Sequence, residues 1–413
     1  MSALLSQHPL RPSPGGFKHW LKGRLLAALP IGFAVLRRVW PIAGTERFRV
    51  VTLHDDVREV FGTDTAFQVP YDANLQVITG GEPFFLGMPD TPAYRAGVEA
   101  MRRVMRAEDL PALACRTEQM AASIVAETEG RLEVVDDLVR RVAFGVLAGY
   151  LGVPAPAQGR LDVWATRLFE FQFASTPDDV ALRREVDEIA PASRALIDAE
   201  IARRKAGGAA PDCDVLARCL QAQAAGDPWF TDVQIRTALL CMVVGGPPQW
   251  PMVLPQAMEQ LLRRPAALDV ACLAAVANDD ERLCRIVLEA MRFDPLAPGL
   301  PRTATRDWTL ASGTRRQTAI RKDATVFVAF ASAMMDDRRV PEPARFDPDR
   351  RKHEYIHFGY GLHECFGKYI NHACLHLVLK PLLQRPELRR AVGKEGRLTK
   401  NGPFAERLVV TFS

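Results

Sequence analysis

The chain has 413 residues, 48% of them hydrophobic and 25% charged, with a formal net charge of +4. This composition is typical of a globular chain that buries one large core or two smaller ones, and so mild a charge argues against a dedicated nucleic-acid-binding protein. Eight cysteines are scattered without a CxxC pair, which favours free thiols in a reducing compartment, so we expect a cytoplasmic protein.

The first apolar run covers residues 25–36 and contains Pro30. A bilayer-spanning helix needs about 20 apolar residues, so we expect no transmembrane anchor. Basic residues before the run resemble the start of a signal peptide, but Arg37 and Arg38 stand where a small-residue cleavage site would be expected. We expect a buried position for this run within an N-terminal segment, residues 1–46. Contact with a membrane surface is the alternative.

Helical patterns dominate the remainder of the chain. Short strand-like runs, rich in β-branched or aromatic residues, occur at 47–53, 324–331 and 407–413. Helical periodicity begins near residues 94 and 160 and covers 136–153 and 280–293. The sequence therefore predicts a mainly α chain with a minor β lobe, and one large domain over residues 47–413.

The stretch GGPPQWPMVLP, residues 245–255, interrupts what otherwise looks like one long buried helix. Each proline removes a backbone donor and clashes with the preceding turn, at a cost of about 3 kcal/mol inside a helix. Four prolines in this stretch therefore need a structural or functional reason.

Near the C-terminus, Cys365 stands just before a strongly apolar helix that begins near residue 366. The N-terminus of a helix favours a thiolate through its partial positive charge. Three glycines surround the cysteine, at 359, 361 and 367. Packed cores have little other use for three glycines, so we expect the backbone here to approach something large and flat.

This pattern resembles the haem-thiolate motif of the cytochrome P450 family, with the residues Phe358-x-x-Gly361-x-His363-x-Cys365-x-Gly367. Further landmarks follow the same family order. Glu289-x-x-Arg292 resembles its ExxR element, and residues 331–350 resemble its meander, where Arg350 would complete an ion network. The resemblance extends from about residue 47 to 413. It implies the soluble bacterial form of the P450 fold, a triangular prism with haem b (iron protoporphyrin IX) between distal and proximal helices.

By this resemblance Cys365 is the proximal thiolate ligand of the haem iron, where a thiolate favours O–O bond cleavage. Arg95, Arg302 and His363 match positions that hold the haem propionates. Thr91 replaces the histidine usual four residues before that first arginine. The resemblance also assigns haem-binding positions to Phe358, Gly361 and Gly367.

In the family, the distal helix carries a small residue, a glycine, any residue, an acid and a threonine in succession. Here those five positions are Gly245, Gly246, Pro247, Pro248 and Gln249. The two glycines, Gly246 included, fit a helix face that must be flat at the haem. The acid and alcohol that relay two protons to dioxygen are absent, and a glutamine cannot deliver a proton by ionising. The prolines could also merely widen a distortion that this fold tolerates.

Two further residues, Trp250 and Asn371, need an explanation. Trp250 follows Gln249 and could line the pocket or pack against a neighbouring helix. Asn371 stands where a small apolar residue is usual after the cysteine. We interpret the latter as an adjustment of packing.

Three functions remain open from the sequence. The first is a haem-thiolate oxidoreductase for a small to medium hydrophobic substrate, driven by peroxide or hydroperoxide as a peroxygenase or a hydroperoxide isomerase, with Gln249 orienting the oxidant. The second is an ordinary monooxygenase that takes electrons from a ferredoxin and protons from water ordered near Gly246. Its acidic partner would meet cations such as Arg102, Arg103, Arg106 and Lys368. The third is a haem-binding protein without turnover.

Overall fold

The computed structural model describes residues 2–11, 17–176, 178–207, 214–350 and 355–413, without the side chains of 17–24, 26 and 27. The helices within these ranges are α1 (Phe17–Val39), α2 (His54–Gly62), α3 (Asp72–Thr79), α4 (Pro92–Val104), α5 (Leu110–Ala126), α6 (Arg141–Leu151), α7 (Leu161–Phe173), α8 (Val180–Ala206), α9 (Val215–Ala224), α10 (Asp232–Gly245), α11 (Trp250–Leu262), α12 (Pro265–Val276), α13 (Asp280–Phe293), α14 (Phe330–Ala333) and α15 (Lys368–Leu383). The strands are β1 (Ile42–Gly44), β2 (Phe48–Val51), β3 (Phe67–Gln68), β4 (Arg131–Glu133), β5 (Leu300–Ala304), β6 (Trp308–Leu310), β7 (Thr318–Ile320), β8 (Thr325–Val328), β9 (Arg389–Arg390), β10 (Thr399–Asn401), β11 (Phe404–Arg407) and β12 (Val409–Thr411).

Helix α13 shows how local sequence sets these boundaries. The Asp279 side chain accepts a hydrogen bond from the backbone N–H of Arg282 at 3.0 Å and so caps the helix N-terminus. The apolar positions of α13 recur with helical spacing and are buried. The helix ends before Asp294, whose α conformation the following proline disfavours. The helix predicted over 280–293 is confirmed.

The largest sheet has the strand order β1-β2-β8-β5-β3, in which β2 and β8 are parallel and the other pairs antiparallel. Ile42 pairs with Val51, so the sheet begins upstream of residue 47. A second sheet has the order β4-β12-β9, and β6–β7 and β10–β11 form two hairpins. The mainly α fold with a minor β part is confirmed.

Two apolar clusters form the core. The larger one lies among the helices, where α15 packs against α5 and α13. The smaller one packs α2 and α14 against the five-stranded sheet. The helix predicted over 136–153 begins as a π-helical segment, Val134–Arg140, and continues as α6. The site described below lies between these two parts of the core.

The apolar run at 25–36 forms the second half of α1, and the expectation that it is buried is wrong. Phe33 is buried, but Leu25, Ile31 and Val35 are exposed. A helix that touches the body along a single face has room to bury only part of an apolar run. Among the helices that the structure describes, none has both the length and the apolar character required to cross a bilayer.

Candidate functional site

The Cys365 loop lies between a short 3₁₀ turn, Gly361–His363, and the first turn of α15. The Cys365 backbone N–H donates to the carbonyl of Phe358 at 2.7 Å, which closes the loop. Burial raises the pKa of the Cys365 thiol, and a hydrogen bond from the Gly367 backbone opposes this shift. The loop therefore holds one thiol at the N-terminal end of a long buried helix.

The glycines of this loop have different causes. Gly359 and Gly361 have φ values of +77° and +75°, which disfavour any other residue. A Cβ on Gly361 would also lie 2.6 Å from the carbonyl oxygen of Phe61. The turn therefore requires both glycines and packing on α2 also requires Gly361, while the expectation that the glycines face a flat ligand stays a prediction. Gly367 has an ordinary φ of −87° and a Cβ there would only touch the Cys365 sulfur at 4.0 Å.

A buried ion pair holds the chain that leads to this loop. The Arg292 guanidinium lies 2.6 Å from the Glu289 carboxylate, and both side chains are fully buried. Glu289 also accepts from Tyr355 at 2.8 Å and lies 3.5 Å from Arg350. Arg292 donates in addition to backbone carbonyls of the meander, including that of Pro343 at 2.8 Å. The predicted Glu289, Arg292 and Arg350 network is present, and Tyr355 is a member that the sequence did not reveal.

Arg302 and His363 converge on one side of the loop. Arg302, on β5, is only 4% exposed and stacks over the Phe61 ring at 4.7 Å. It hydrogen-bonds to Tyr71, and in the described part of the chain no carboxylate forms an ion pair with it. Burial, followed by the nearby Arg302 charge, lowers the pKa of His363 to about 4. The Nδ1 atom of His363 is buried without a hydrogen-bond partner among the described residues.

Arg95 does not join this cluster. Its side chain is 72% exposed and pairs with Asp90 at 2.7 Å. The preceding residue, Tyr94, lies on the buried face of α4, donates to the Leu362 carbonyl at 2.6 Å and meets the His363 ring edge-to-face. Consecutive helix residues point about 100° apart, so only one of the two can face the loop. The predicted propionate contact of Arg95 is not supported by this geometry, and helical periodicity was the signal that favoured Tyr94.

The GGPPQWP stretch divides one helix into three segments. Helix α10 ends at Gly245, a 3₁₀ turn covers Pro247–Gln249, and α11 begins at Trp250. Three of the four prolines lie in the first turn of a segment, where no backbone donor is needed. Because Pro247 and Pro248 lack N–H groups, the carbonyls four residues earlier, at Val243 and Val244, lose their usual helical donors.

Side chains hold this break in place. The Gln249 amide donates a hydrogen bond to the carbonyl of Gly245, the last residue of α10. Gly246 allows close packing, since a Cβ there would lie 2.9 Å from the Met242 carbonyl. Trp250 is buried, and its indole N–H donates to the Asn371 side chain on α15 at 2.8 Å. Trp250 thus packs against a neighbouring helix, and Asn371 serves as its acceptor.

Comparisons with known proteins agree with this arrangement. A family model described as Cytochrome P450 matches residues 283–405, which include the Glu289–Arg292 pair and the Cys365 loop. Cyclomarin C epoxidase CymV of Salinispora arenicola is 26% identical over 362 residues, covering 86% of this chain and 85% of that protein. Erythromycin C-12 hydroxylase of Saccharopolyspora erythraea is 25% identical over 350 residues, covering 84% and 81%. The ligand-free structure of cytochrome P450 TbtJ1 has a TM-score of 0.77 at 24% identity, covering 94% of this chain and 98% of that one. The chain belongs to the cytochrome P450 family.

Haem b is the cofactor of cytochromes P450, held through a cysteine thiolate. The residues present fit this group. Arg302 is a buried cation without a carboxylate partner among the described residues, and His363 carries an unpartnered buried ring nitrogen. A buried charge without a counter-charge and a buried ring nitrogen without a hydrogen bond are both costly, so the two side chains suit the two propionate groups. Cys365 supplies a thiol beside them, and Phe358, which packs against His372 of α15, keeps the loop apolar.

The cations considered for an acidic redox partner of this P450 are already engaged. Lys368 pairs with Glu364 at 2.7 Å, and Arg103 pairs with Asp227. Arg102 stacks over the rings of Phe366 and Tyr369 at 3.9 Å and 4.7 Å, and the Arg106 side chain donates to the Arg103 carbonyl at 3.4 Å. Because these contacts neutralise or anchor the charges, this group of residues gives no specific support to a docking surface.

Proposed function

We propose that this cytochrome P450 oxidises small to medium hydrophobic substrates with an oxidant that arrives as hydrogen peroxide or an organic hydroperoxide. Membership of the family already makes the protein an oxidoreductase. The proposal adds the identity of the oxidant. In this proposal Cys365 is the iron ligand, while Arg302 and His363 hold the propionates. When bound, the haem supplies thiolate-assisted cleavage of an O–O bond.

The observation that carries the proposal is the absence of the acid and the alcohol from positions 248 and 249 of the distal segment. From Val233 to Met258 the sequence has no Asp, Glu or His. Pro247 and Pro248 carry no hydrogen-bond donor at all, and the Gln249 amide is tied to the Gly245 carbonyl. A chain that must deliver two protons to dioxygen needs a group that can release them. Peroxide avoids this need because it is already reduced and protonated.

The overall reaction balances without an external reductant. With hydrogen peroxide, the O–O bond breaks, one oxygen atom enters a C–H or C=C bond of the substrate to give an alcohol or an epoxide, and the other leaves as water. With an organic hydroperoxide, the second oxygen leaves as an alcohol. The two relatives named above as an epoxidase and a hydroxylase give products of the same two kinds.

Gln249 is proposed to orient the peroxide. Its amide nitrogen carries two N–H groups, and one of them is used by the Gly245 carbonyl. That bond fixes the plane of the amide, so the second N–H has a defined direction. A preorganised donor of this kind stabilises developing charge on oxygen without needing to ionise.

A second candidate is an oxygenase that takes dioxygen, with electrons from a protein donor. The specific observation in its favour is that Pro247 and Pro248 free the carbonyls of Val243 and Val244 from helical hydrogen bonds. Two adjacent free acceptors suit ordered water, which would then carry protons in place of the acid and alcohol.

Stopped-flow kinetics of the ferric holoprotein separate these functions. The proposal predicts fast consumption of hydrogen peroxide or cumene hydroperoxide without reductant, coupled to oxidation of an added hydrophobic substrate. Slow consumption with bleaching of the haem, together with turnover on dioxygen and a ferredoxin system, would instead support the second candidate. A protein inactive under both conditions would be a haem-binding protein without turnover.

Substitutions locate the effect in the distal segment. Gln249→Leu should lower the peroxide-driven rate at least about tenfold, since the loss of one oxyanion donor typically costs about a hundredfold or more. Gln256→Leu is the matched control, because Gln256 makes the same bond to the carbonyl four residues earlier, that of Met252, at 2.7 Å. The double variant Pro248→Asp, Gln249→Thr restores an acid and an alcohol and should shift turnover towards dioxygen. Equal effects of the two Gln→Leu changes would remove Gln249 from the proposed role.

A further inference from the structure

The N-terminal part of the chain has an unusual charge distribution. The first 45 residues contain six Lys or Arg residues and no Asp or Glu, which leaves 47 basic and 49 acidic residues in the rest of the chain. Arg11 pairs with Glu170 and Asp179, whereas Arg37 and Arg38 form no ion pair with any of the described carboxylates. The remaining five, at positions 18, 22, 24, 37 and 38, all belong to α1 by sequence.

Helix α1 also carries a row of exposed apolar side chains. Ile31, Val35 and Val39 are 71%, 54% and 78% exposed, and their spacing of four residues places them on one face. Leu25 is 62% exposed, and Trp40, immediately after the helix, is 52% exposed. We call Leu25, Ile31, Val35, Val39 and Trp40 the apolar stripe of α1. Large apolar side chains exposed in a row mark an interaction surface.

The opposite face of α1 is anchored to the body of the protein. Phe33 is buried, and the Arg37 guanidinium donates to the Ser332 hydroxyl of α14 at 2.9 Å. The Arg338 side chain donates to the Arg37 carbonyl at 3.5 Å. These contacts fix the rotation of α1, so the apolar stripe cannot turn inward to bury itself.

We propose that the apolar stripe of α1 binds the surface of a membrane that contains anionic lipids. An interfacial helix needs an apolar face for the acyl boundary and basic residues for the headgroups, and α1 has both. The absence of any acid before Glu46 gives the charge complementarity. A second copy of the chain would fit less well, because two copies of α1 would bring like charges together.

This surface is independent of the oxidant proposed above. It places the protein on the lipid phase in which hydrophobic molecules concentrate. The helix lies in the plane of the interface in this proposal, and the protein body remains on the aqueous side, joined through Arg37 and Phe33.

The test is flotation of the holoprotein with vesicles of phosphatidylcholine, with or without added phosphatidylglycerol. We expect binding to the anionic vesicles at least about tenfold tighter than to pure phosphatidylcholine, because each basic residue near an anionic surface strengthens binding about fivefold. Raised salt should weaken the binding by screening these charges. Equal binding to both vesicle types, or none to either, would overturn the proposal.

Variants test the apolar stripe itself. The triple change Ile31→Ser, Val35→Ser, Val39→Ser should reduce binding to anionic vesicles at least about tenfold, because three apolar side chains no longer enter the acyl boundary. The matched control is Leu273→Ser with Val276→Ser on α12, whose side chains are 69% and 62% exposed. This control should bind as the unaltered protein does. If it loses binding equally, or the triple variant keeps it, the stripe is not the membrane contact.

Two further measurements keep the outcome unambiguous. Arg38→Glu changes one exposed charge at the end of α1 and leaves the apolar side chains in place, so it should weaken vesicle binding without affecting the thermal unfolding temperature. Sedimentation in lipid-free buffer tests the other occupant. A dimer that the triple serine change converts to a monomer would assign the stripe to a second copy and overturn the membrane proposal.

Discussion

Replacing Arg302 with methionine should have opposite effects on the protein with and without haem. The guanidinium is 4% exposed, and none of the described carboxylates pairs with it, so in the haem-free chain it is a buried charge without a counter-charge. Burial accordingly lowers its pKa, opposed only by Tyr71. We therefore expect Arg302→Met to stabilise the haem-free protein and to loosen the haem.

The magnitudes follow from the contacts. Desolvation of an unpaired ion costs several kcal/mol. Against this, the guanidinium donates to the Pro301 carbonyl at 3.0 Å and to Tyr71, at about 1 kcal/mol each, and stacks on Phe61. The balance leaves a stabilisation of about 1–3 kcal/mol for the haem-free variant. A lost charge-assisted hydrogen bond to a propionate is worth about 1.5–3 kcal/mol, which corresponds to roughly tenfold to a hundredfold weaker haem binding.

Two assays measure these effects. Urea denaturation of protein produced without haem gives the free energy of unfolding, and transfer of haem to excess apomyoglobin gives the rate of haem loss. Arg95→Met is the control, because the resemblance to the family assigns Arg95 to a propionate whereas the structure exposes its side chain to solvent. The reasoning is refuted if Arg302→Met loses haem no faster than the unaltered protein, or if Arg95→Met loses it equally fast.

Three further predictions concern stability. Trp250→Phe and Asn371→Leu should show a coupling of about 1 kcal/mol in a double-mutant cycle of urea unfolding, because each change alone leaves one partner of their 2.8 Å hydrogen bond unsatisfied. Additive effects of the two changes would show that this hydrogen bond does not contribute to stability. Burial lowers the pKa of His376 from 6.5 to about 4, so between these pH values the unfolded chain binds a proton at this histidine that the folded chain does not. The contribution of His376 to the free energy of unfolding is therefore full above about pH 6.5, and it should fall by up to about 3 kcal/mol as the pH is lowered towards 4. His376→Phe should flatten urea-unfolding stability over that range, and an unchanged slope would contradict the assignment. Gly361→Ala should lower the free energy of unfolding by at least about 1–3 kcal/mol in the same assay. The backbone at this position has a φ of +75°, and the new Cβ would lie 2.6 Å from the Phe61 carbonyl oxygen. An unchanged stability would show that the loop relaxes to accommodate the alanine.

The sequence was sufficient for features that depend on local pattern. The helical periodicity over 280–293 predicted α13, and the motif around Cys365 predicted the loop at the start of α15. The Glu289–Arg292 pair, three residues apart on one helix, was equally accessible. These features need no knowledge of distant neighbours.

Features that depend on distant contacts could not be read from the chain. Trp250 and Asn371 are 121 residues apart, so each looked like a separate irregularity. The contact between Gly361 and Phe61 joins residues 300 positions apart, so the motif alone did not reveal this reason for the glycine. Arg95 was aligned by motif, but the rotation of α4 decides which side chain faces the loop.

The predicted burial of the N-terminal apolar run, residues 25–36, was wrong for a different reason. Its apolar composition predicted burial, yet among the large side chains of the run that the structure describes only Phe33 is buried, while Leu25, Ile31 and Val35 are exposed. Composition cannot say how much surface the rest of the fold offers to a helix. The charge imbalance of the first 45 residues was visible in the sequence and pointed more directly to the outer face of α1.

The most direct measurement is an anaerobic turnover of the ferric holoprotein with hydrogen peroxide labelled with ¹⁸O, an excess of hydrophobic substrate and no reductant. If Pro247, Pro248 and Gln249 form a site for an oxidant that brings its own protons, the label should appear in the oxidised product, and admitting unlabelled dioxygen should change neither the yield nor the labelling. Product that forms only after dioxygen and an electron donor are supplied, and that contains no label, would contradict this function.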